Sequence, residues 1–177
     1  NPVLVVETMV NTIRAIEEIY PFGKFDFGYD DSMDRVNESA VRLGDLLCAE
    51  GIIAMTTSGQ SAKKLSRYRP KMTIYAATHE ERVARLLTMV WGVVPAYLTK
   101  KGRLEEMLSD IIHSGLKRGI IDKNNTYIFT AGYPIGTPGT TNVIRILREN
   151  ELTFFGETKS VPAKSKKTEE NPIPTLF

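Results

Sequence analysis

The stretch Gly51-Ile-Ile-Ala-Met-Thr-Thr-Ser-Gly-Gln-Ser-Ala62 decides the fold class of this chain. Its apolar run, Ile52–Met55, has the length and composition typical of a buried strand. A turn rich in hydroxyl side chains follows, and helical spacing then continues from Ser61 to about Tyr68. A buried strand that leads through a short turn into a helix is a unit of parallel sheets, so this stretch predicts an α/β protein.

The same alternation of strand and helix patterns continues along the chain. Further strand-type runs lie at residues 72–77, 93–98, 126–130 and 142–147, and helical patterns lie at 32–50, 79–89 and 104–116. This rhythm predicts a three-layer α/β/α fold, with helices on both faces of a five-stranded, mostly parallel sheet.

The two ends of the chain differ from this central part. Residues 2–20 carry an amphipathic helical pattern, with apolar side chains at Val6, Met9, Val10, Ile13, Ile16 and Tyr20. The last residues crowd lysine, glutamate, serine and proline together, which indicates a mobile tail. We therefore predict a helix and connector at 1–31, an α/β domain at 32–148 and a charged tail at 149–177.

The composition argues against several classes of function. The chain has 23 Lys and Arg against 21 Asp and Glu, a formal net charge of +2, which is unlike the clustered charge of a nucleic-acid binder. No apolar stretch is long enough to cross a membrane. The single cysteine, Cys48, lies in an apolar run, so we expect a buried, inert thiol and a cytoplasmic location.

The turn after the first strand is a candidate phosphate site. Backbone N–H groups at a helix start are unpaired, and the helix dipole favours an anion there. Lys63 and Lys64 add positive charge one turn further on. The alternative is that Ser58 or Thr57 only caps the helix. The residues of this candidate cradle are Thr56, Thr57, Ser58, Gly59, Gln60 and Ser61.

A second candidate loop, residues 131–142, follows the fourth predicted strand. Its glycines and prolines require a loop, and its position places it at the same edge of the sheet as the first turn. The two loops can thus close over one ligand, or the second can be a simple turn into the fifth strand. No Walker pattern is present, which argues against a nucleoside triphosphatase. His79 and His113 lack partners at metal-ligand spacing, and no acid–base pair emerges.

These loops and their flanks resemble the C-terminal domain of the pyruvate kinases. The resemblance rests on the stretches 51–62, 66–70, 77–78, 90–95 and 130–142, which match in order and spacing over roughly 32–148. The opening helix resembles the last helix of that family's catalytic barrel. The resemblance implies that the last strand, 142–147, runs antiparallel to the others.

The family transfers phosphate from phosphoenolpyruvate to ADP in glycolysis, with magnesium and potassium as cofactors. The barrel residues that bind the substrate and the metals have no counterpart here. We therefore expect no catalytic residue, metal site or cofactor in this chain. The implied role is that of the C-terminal regulatory portion of the enzyme.

The family's C-terminal domain binds phosphorylated allosteric effectors. By position, residues 56–61 match its phosphate loop, and Gln60 departs from the Arg or Thr found in many members. The second loop lacks the basic residue that helps some members to bind the second phosphate of fructose bisphosphate. We therefore expect a sugar monophosphate or AMP. The matching effector-loop residues are Gly132, Tyr133, Gly136, Thr137, Gly139 and Thr140.

The resemblance also implies a homo-oligomer, a tetramer in the parent enzyme, with strand 142–147 at a subunit contact. One alternative is a free-standing sensor domain with the same fold and no catalysis. Another is a nucleotide-using enzyme complete in this chain. The opening helix favours a fragment of the whole enzyme, because a free-standing domain has no need of a barrel helix.

Overall fold

A computed structural model describes residues 1–22, 31–98, 102–135, 137 and 139–157. The strands are β1 (Gly51–Met55), β2 (Thr73–Thr78), β3 (Val93–Tyr97), β4 (Tyr127–Gly132) and β5 (Thr141–Leu147). The helices are α1 (Pro2–Glu17), α2 (Ser32–Leu46), α3 (Gln60–Arg67), α4 (Glu81–Leu87), α5 (Leu104–Lys117) and α6 (Glu149–Glu157).

The five strands form one sheet in the order β3-β2-β1-β4-β5. Strands β3, β2, β1 and β4 pair in parallel, and β5 pairs antiparallel with β4 at the edge. All five residues of β1 are buried, because this strand is central and both of its faces are covered. The predicted mostly parallel sheet with a reversed last strand is confirmed.

Two hydrophobic cores lie on opposite faces of the sheet. One face packs against α2, α3 and α4, with Ile52, Leu65 and Ile74 fully buried between the layers. The other packs against α5 and α6 around Ile53, Phe129 and Ile112. The three-layer arrangement predicted from the alternating pattern is therefore confirmed.

A partly buried ion pair joins α2 to α3. The Lys64 ammonium lies 2.9 Å from the fully buried carboxylate of Asp34 and 3.1 Å from the half-exposed carboxylate of Asp31. Burial by itself lowers the pKa of Lys64, but the hydrogen bonds to Asp34 and Asp31 outweigh it and raise the pKa above its usual value. Lys64 thus joins α2 to α3 through its ion pairs with these two carboxylates.

Helix α1 has no buried residue. Its apolar side chains are exposed, among them Val6, Met9 and Ile13. The end of the helix approaches the α/β domain at an aromatic contact, where the ring of Phe22 stacks on Trp91 at 5.9 Å between centroids. The guanidinium of Arg69 lies 4.6 Å from the Trp91 ring centroid.

Helix α6 occupies residues that the sequence analysis assigned to the tail. Leu152 and Phe155 are buried in the core against α5, so residues 149–157 form a packed helix there. The rest of the predicted tail, 158–177, and most of the predicted connector, 23–30, lie outside the described residues. No helix among the described residues is long and apolar enough to span a membrane.

The expectation of a buried Cys48 is also wrong, because the thiol is exposed. Helix α2 ends two residues earlier, and Cys48 adopts a left-handed backbone conformation with φ of 49°. This change of direction carries Cys48 away from the core, although its neighbour Ala49 is buried. The apolar run around Cys48 therefore does not continue the buried stripe of the helix.

Candidate functional site

The two loops singled out from the sequence line one pocket at the carboxyl ends of β1 and β4. Its open depression contains about 530 Å³ of space not filled by protein atoms, part of it open to solvent. Strand β1 connects through α3 to β2 on one side, whereas β4 lies on its other side. The pocket therefore occupies a topological switch point, where open α/β sheets bind their ligands.

The first loop brings the start of helix α3 to this pocket, where Gln60 and Ser61 line it. Gly59 stands at the N-cap of α3 with φ of 83° and has no side chain to cap the helix. The first-turn amides of α3 consequently receive no capping hydrogen bond from the N-cap side chain. Such a helix start favours an anion, because the unpaired N–H groups and the helix dipole both carry partial positive charge.

Gly59 is required for a second reason besides its backbone angle. A Cβ atom at this position would lie 3.2 Å from Val83 Cγ1 and 3.4 Å from Leu87 Cδ2. The start of α3 therefore approaches α4 closely, and a larger residue would push the loop away from its place in the pocket. Gly59 itself does not line the pocket.

The hydroxyl groups of the first loop divide into two kinds. Thr56 Oγ1 accepts the Gly59 N–H at 2.9 Å, and Ser61 Oγ lies 2.6 Å from Thr141 Oγ1 in a buried hydrogen bond. These two hydroxyls hold the loop in shape. By contrast, no hydrogen bond within the described part of the chain engages the hydroxyls of Thr57 and Ser58, and Ser58 is exposed.

The second loop is braced by Asn142 on β5. The Asn142 side chain accepts the Tyr133 N–H at 2.8 Å and donates to the Tyr133 carbonyl at 2.7 Å. Thr140 Oγ1 donates to the Thr137 carbonyl at 2.7 Å. The predicted residues that line the pocket from this loop are Gly132, Thr137, Gly139 and Thr140. Tyr133 is exposed and lies outside the lining, and Gly136 is outside the described residues.

The distribution of charge differs from the sequence expectation. Lys64 turns towards Asp31 and Asp34, and neither Lys63 nor Lys64 lines the pocket. Sequence reasoning missed His79, which does line it. Its position directly after β2 was the available signal, since the carboxyl ends of parallel strands share one edge of the sheet.

The pocket also has an apolar side. Met55, Ala77 and Met107 are nearly fully buried beneath it, and Leu104 and Ile135 are partly exposed at its wall. The lining thus combines hydroxyl and amide groups with hydrocarbon side chains. Such a site suits a ligand with one anionic end and a less polar remainder.

Comparison with known proteins places this fold in a family. Residues 34–147 match the model of the family described as "Pyruvate kinase, alpha/beta domain". The chain is 31% identical to a pyruvate kinase from Clostridium acetobutylicum over 82% of this chain and 32% of that protein. It is 35% identical to a pyruvate kinase from Lactobacillus delbrueckii subsp. bulgaricus over 64% of this chain and 19% of that protein.

The matched part contains every strand of the sheet and both loops of the pocket. The chain spans about a third or less of the length of these curated relatives. Because the family model matches residues 34–147, which contain the five-stranded sheet, the chain belongs to the pyruvate kinase α/β-domain family.

Proposed function

We propose that this chain is the effector-binding, C-terminal regulatory portion of a pyruvate kinase, and that its pocket binds a phosphate ester. The observation that carries the proposal is the meeting of two loops, some 70 residues apart, around an uncapped helix start at a topological switch point. In the whole enzyme, phosphate would pass from phosphoenolpyruvate to ADP, with magnesium and potassium held by the catalytic part.

The phosphate is expected to lie against the first loop. Thr57 and Ser58 can donate their hydroxyl hydrogens to it, and the first-turn amides of α3 add further donors. The remainder of the ligand would extend towards the apolar wall at Leu104 and Ile135. One phosphate is favoured over two, because no Lys or Arg is among the described lining residues. A hexose or pentose monophosphate or AMP fits this description.

Calorimetry on the full chain tests this assignment. We expect glucose 6-phosphate, ribose 5-phosphate or AMP to bind, and fructose bisphosphate to bind no better than these. Ser58→Asp would place a carboxylate in the cradle and should abolish binding through charge repulsion. Ser39→Asp, the same change at an exposed position on α2, is the matched control. Binding that survives in Ser58→Asp would remove this loop from the site.

The same proposal includes assembly through β5. This strand is an edge of the sheet, so one side of its backbone has no strand partner within the described chain. Pairing of β5 with β5 of a second copy would satisfy those groups, and we expect a dimer of this chain. Light scattering that shows a monomer at high protein concentration would contradict this part of the proposal.

A coupled assay with phosphoenolpyruvate and ADP completes the test. We expect no turnover by this chain, because an effector-binding portion does not carry the phosphoryl-transfer residues. Turnover would instead favour an enzyme complete in this chain. A free-standing sensor domain would be distinguished by the coding sequence upstream of Asn1, which in a whole enzyme encodes the rest of the barrel.

A further inference from the structure

His79 stands beside the phosphate loop because of the register of β1 and β2. Met55 pairs with Ala77 at the carboxyl ends of the two strands, and the Thr56 N–H donates to the Ala77 carbonyl at 2.9 Å. His79 follows Ala77 by two residues. The chain leaving β2 therefore runs next to the Thr56–Ser58 turn as it leaves β1, and His79 joins the pocket lining there.

The imidazole of His79 is largely buried and lies beside a carboxylate. Its side chain is only 10% exposed, and Nε2 lies 3.5 Å from Oε1 of the half-exposed Glu80. The backbone at Glu80 is fixed in turn, because its N–H donates to the buried hydroxyl of Thr78 at 3.2 Å. The ring thus has a defined position at the pocket, with a single acidic neighbour at ion-pair distance among the described residues.

Among the described residues that line the pocket, His79 is the one whose side chain can carry a positive charge. An anion in the pocket would otherwise meet only neutral donors. A protonated imidazole adds a charge-assisted hydrogen bond, which is about twice as strong as a neutral one. Glu80 competes for the same proton, but its carboxylate is half exposed and well solvated, so a phosphate in the pocket can replace it.

From this geometry we propose that His79 is a ligand-binding residue of the pocket, donating from its imidazole to an anionic oxygen of the bound phosphate ester. This inference rests on the proposed function. It adds a polar side chain from the end of β2 to the hydroxyl and amide groups that the loops after β1 and β4 supply. It also makes Glu80 a residue that tunes affinity by holding the imidazole while the pocket is empty.

Three variants of the full chain test the role of His79 by calorimetry with ribose 5-phosphate, glucose 6-phosphate and AMP. His79→Gln keeps an N–H donor but cannot carry charge, and should weaken binding about tenfold. Glu80→Gln should tighten binding by about two- to threefold, because it removes the negative charge that competes with the phosphate for the imidazole. His113→Gln is the matched control, since His113 lies at the contact of α5 with α6, hydrogen-bonded to the Gly156 carbonyl.

Magnetic resonance of the two imidazoles provides a readout that needs no variant. The chain contains two histidines, so each gives its own side-chain resonances. Addition of ribose 5-phosphate, glucose 6-phosphate or AMP should shift the His79 signals and leave those of His113 in place.

The outcomes separate the two proposals. If the unaltered chain binds none of the three esters, the proposed function fails, and the role of His79 fails with it. If the chain binds one of them while His79→Gln binds it equally well and the His79 resonances do not move, the phosphate site stands and the inference about His79 is overturned. Circular dichroism of each variant checks that the fold is intact.

Discussion

The helices α1 and α6 flank the segment that matches the family model, and they differ in how far their apolar side chains are buried. Helix α1 carries a long set of valine, isoleucine and methionine side chains and buries none of them. Helix α6 lies in a charged part of the sequence and buries Leu152 and Phe155 in the core. The more apolar of the two helices is therefore the exposed one.

The difference is explained by the surface that each helix meets. Helix α6 lies on α5, where the buried Ser109 hydroxyl donates to the Phe155 carbonyl at 2.7 Å and Arg145 lies over the Phe155 ring. Within the part of the chain that the structure describes, helix α1 approaches the domain near its end, around Trp91. A helical pattern predicts that a face can be buried, whereas burial itself depends on a complementary partner.

Removal of α6 should have the largest effect, and removal of α1 provides the direct comparison. A chain that ends at Arg148 loses α6, and with it the burial of Leu152 and Phe155. We expect a loss of more than about 5 kcal/mol in the free energy of unfolding, enough to abolish cooperative folding. A chain that begins at Pro21 should keep its unfolding midpoint in urea. Equal losses from both truncations would break the comparison.

Two neighbouring phenylalanines sharpen the comparison within α6. Phe155 is 4% exposed and Phe154 is 65% exposed. Phe155→Ala should cost about 3–5 kcal/mol of unfolding free energy, because it removes a large buried ring and leaves a cavity. Phe154→Ala should cost less than about 1 kcal/mol. Urea denaturation of the two variants measures both values, and similar costs would show that α6 is not seated as described.

The polar attachment of α6 should contribute less than its apolar one. Ser109→Ala leaves the Phe155 carbonyl without its side-chain donor in a buried position. We expect a loss of about 1–3 kcal/mol in the free energy of unfolding, with the fold retained. Ser114→Ala, at an exposed position on the same helix, is the control. An unchanged midpoint for Ser109→Ala would mean that this hydrogen bond does not help to hold α6.

The smallest effect is expected on α1. Ile16 is 52% exposed, so Ile16→Ala should change the free energy of unfolding by less than about 0.5 kcal/mol. An isoleucine buried in the sheet, Ile74, provides the contrast, since Ile74→Ala should cost about 2–5 kcal/mol. A large loss for Ile16→Ala would indicate that α1 packs in solution against another surface of this same chain.

The sequence predicted the central sheet well because its strands are short apolar runs separated by turn residues. The central strand β1 has no polar residue, and the rhythm of strands and helices leaves few ways to arrange a parallel sheet. Helix α6 was missed because Leu152 and Phe155 are its only buried residues, which is too weak a pattern to stand out from charged surroundings. Their burial depends on α5, which local periodicity does not reveal.

The convergence of the two loops also followed from the sequence, since both come after strands that run in the same direction. The separate roles of the hydroxyl groups could not be predicted from the sequence. Ser61 is engaged by Thr141, which is 80 residues away, and Thr56 by the turn of its own loop. Such roles can be assigned only when the hydrogen-bond partners are known in three dimensions. The prediction that His79 lines the pocket requires the register of β1 and β2 as well as its position in the sequence.

Trp91, the one tryptophan of the chain, lies where α1 approaches the α/β domain. Its indole contacts Phe22 and Arg69, so its emission depends on whether that junction is closed. Intrinsic fluorescence can therefore follow separation of the opening helix without any label. In a longer chain carrying the same junction, this signal would reveal whether an effector bound at the far edge of the sheet alters the seam between the two parts.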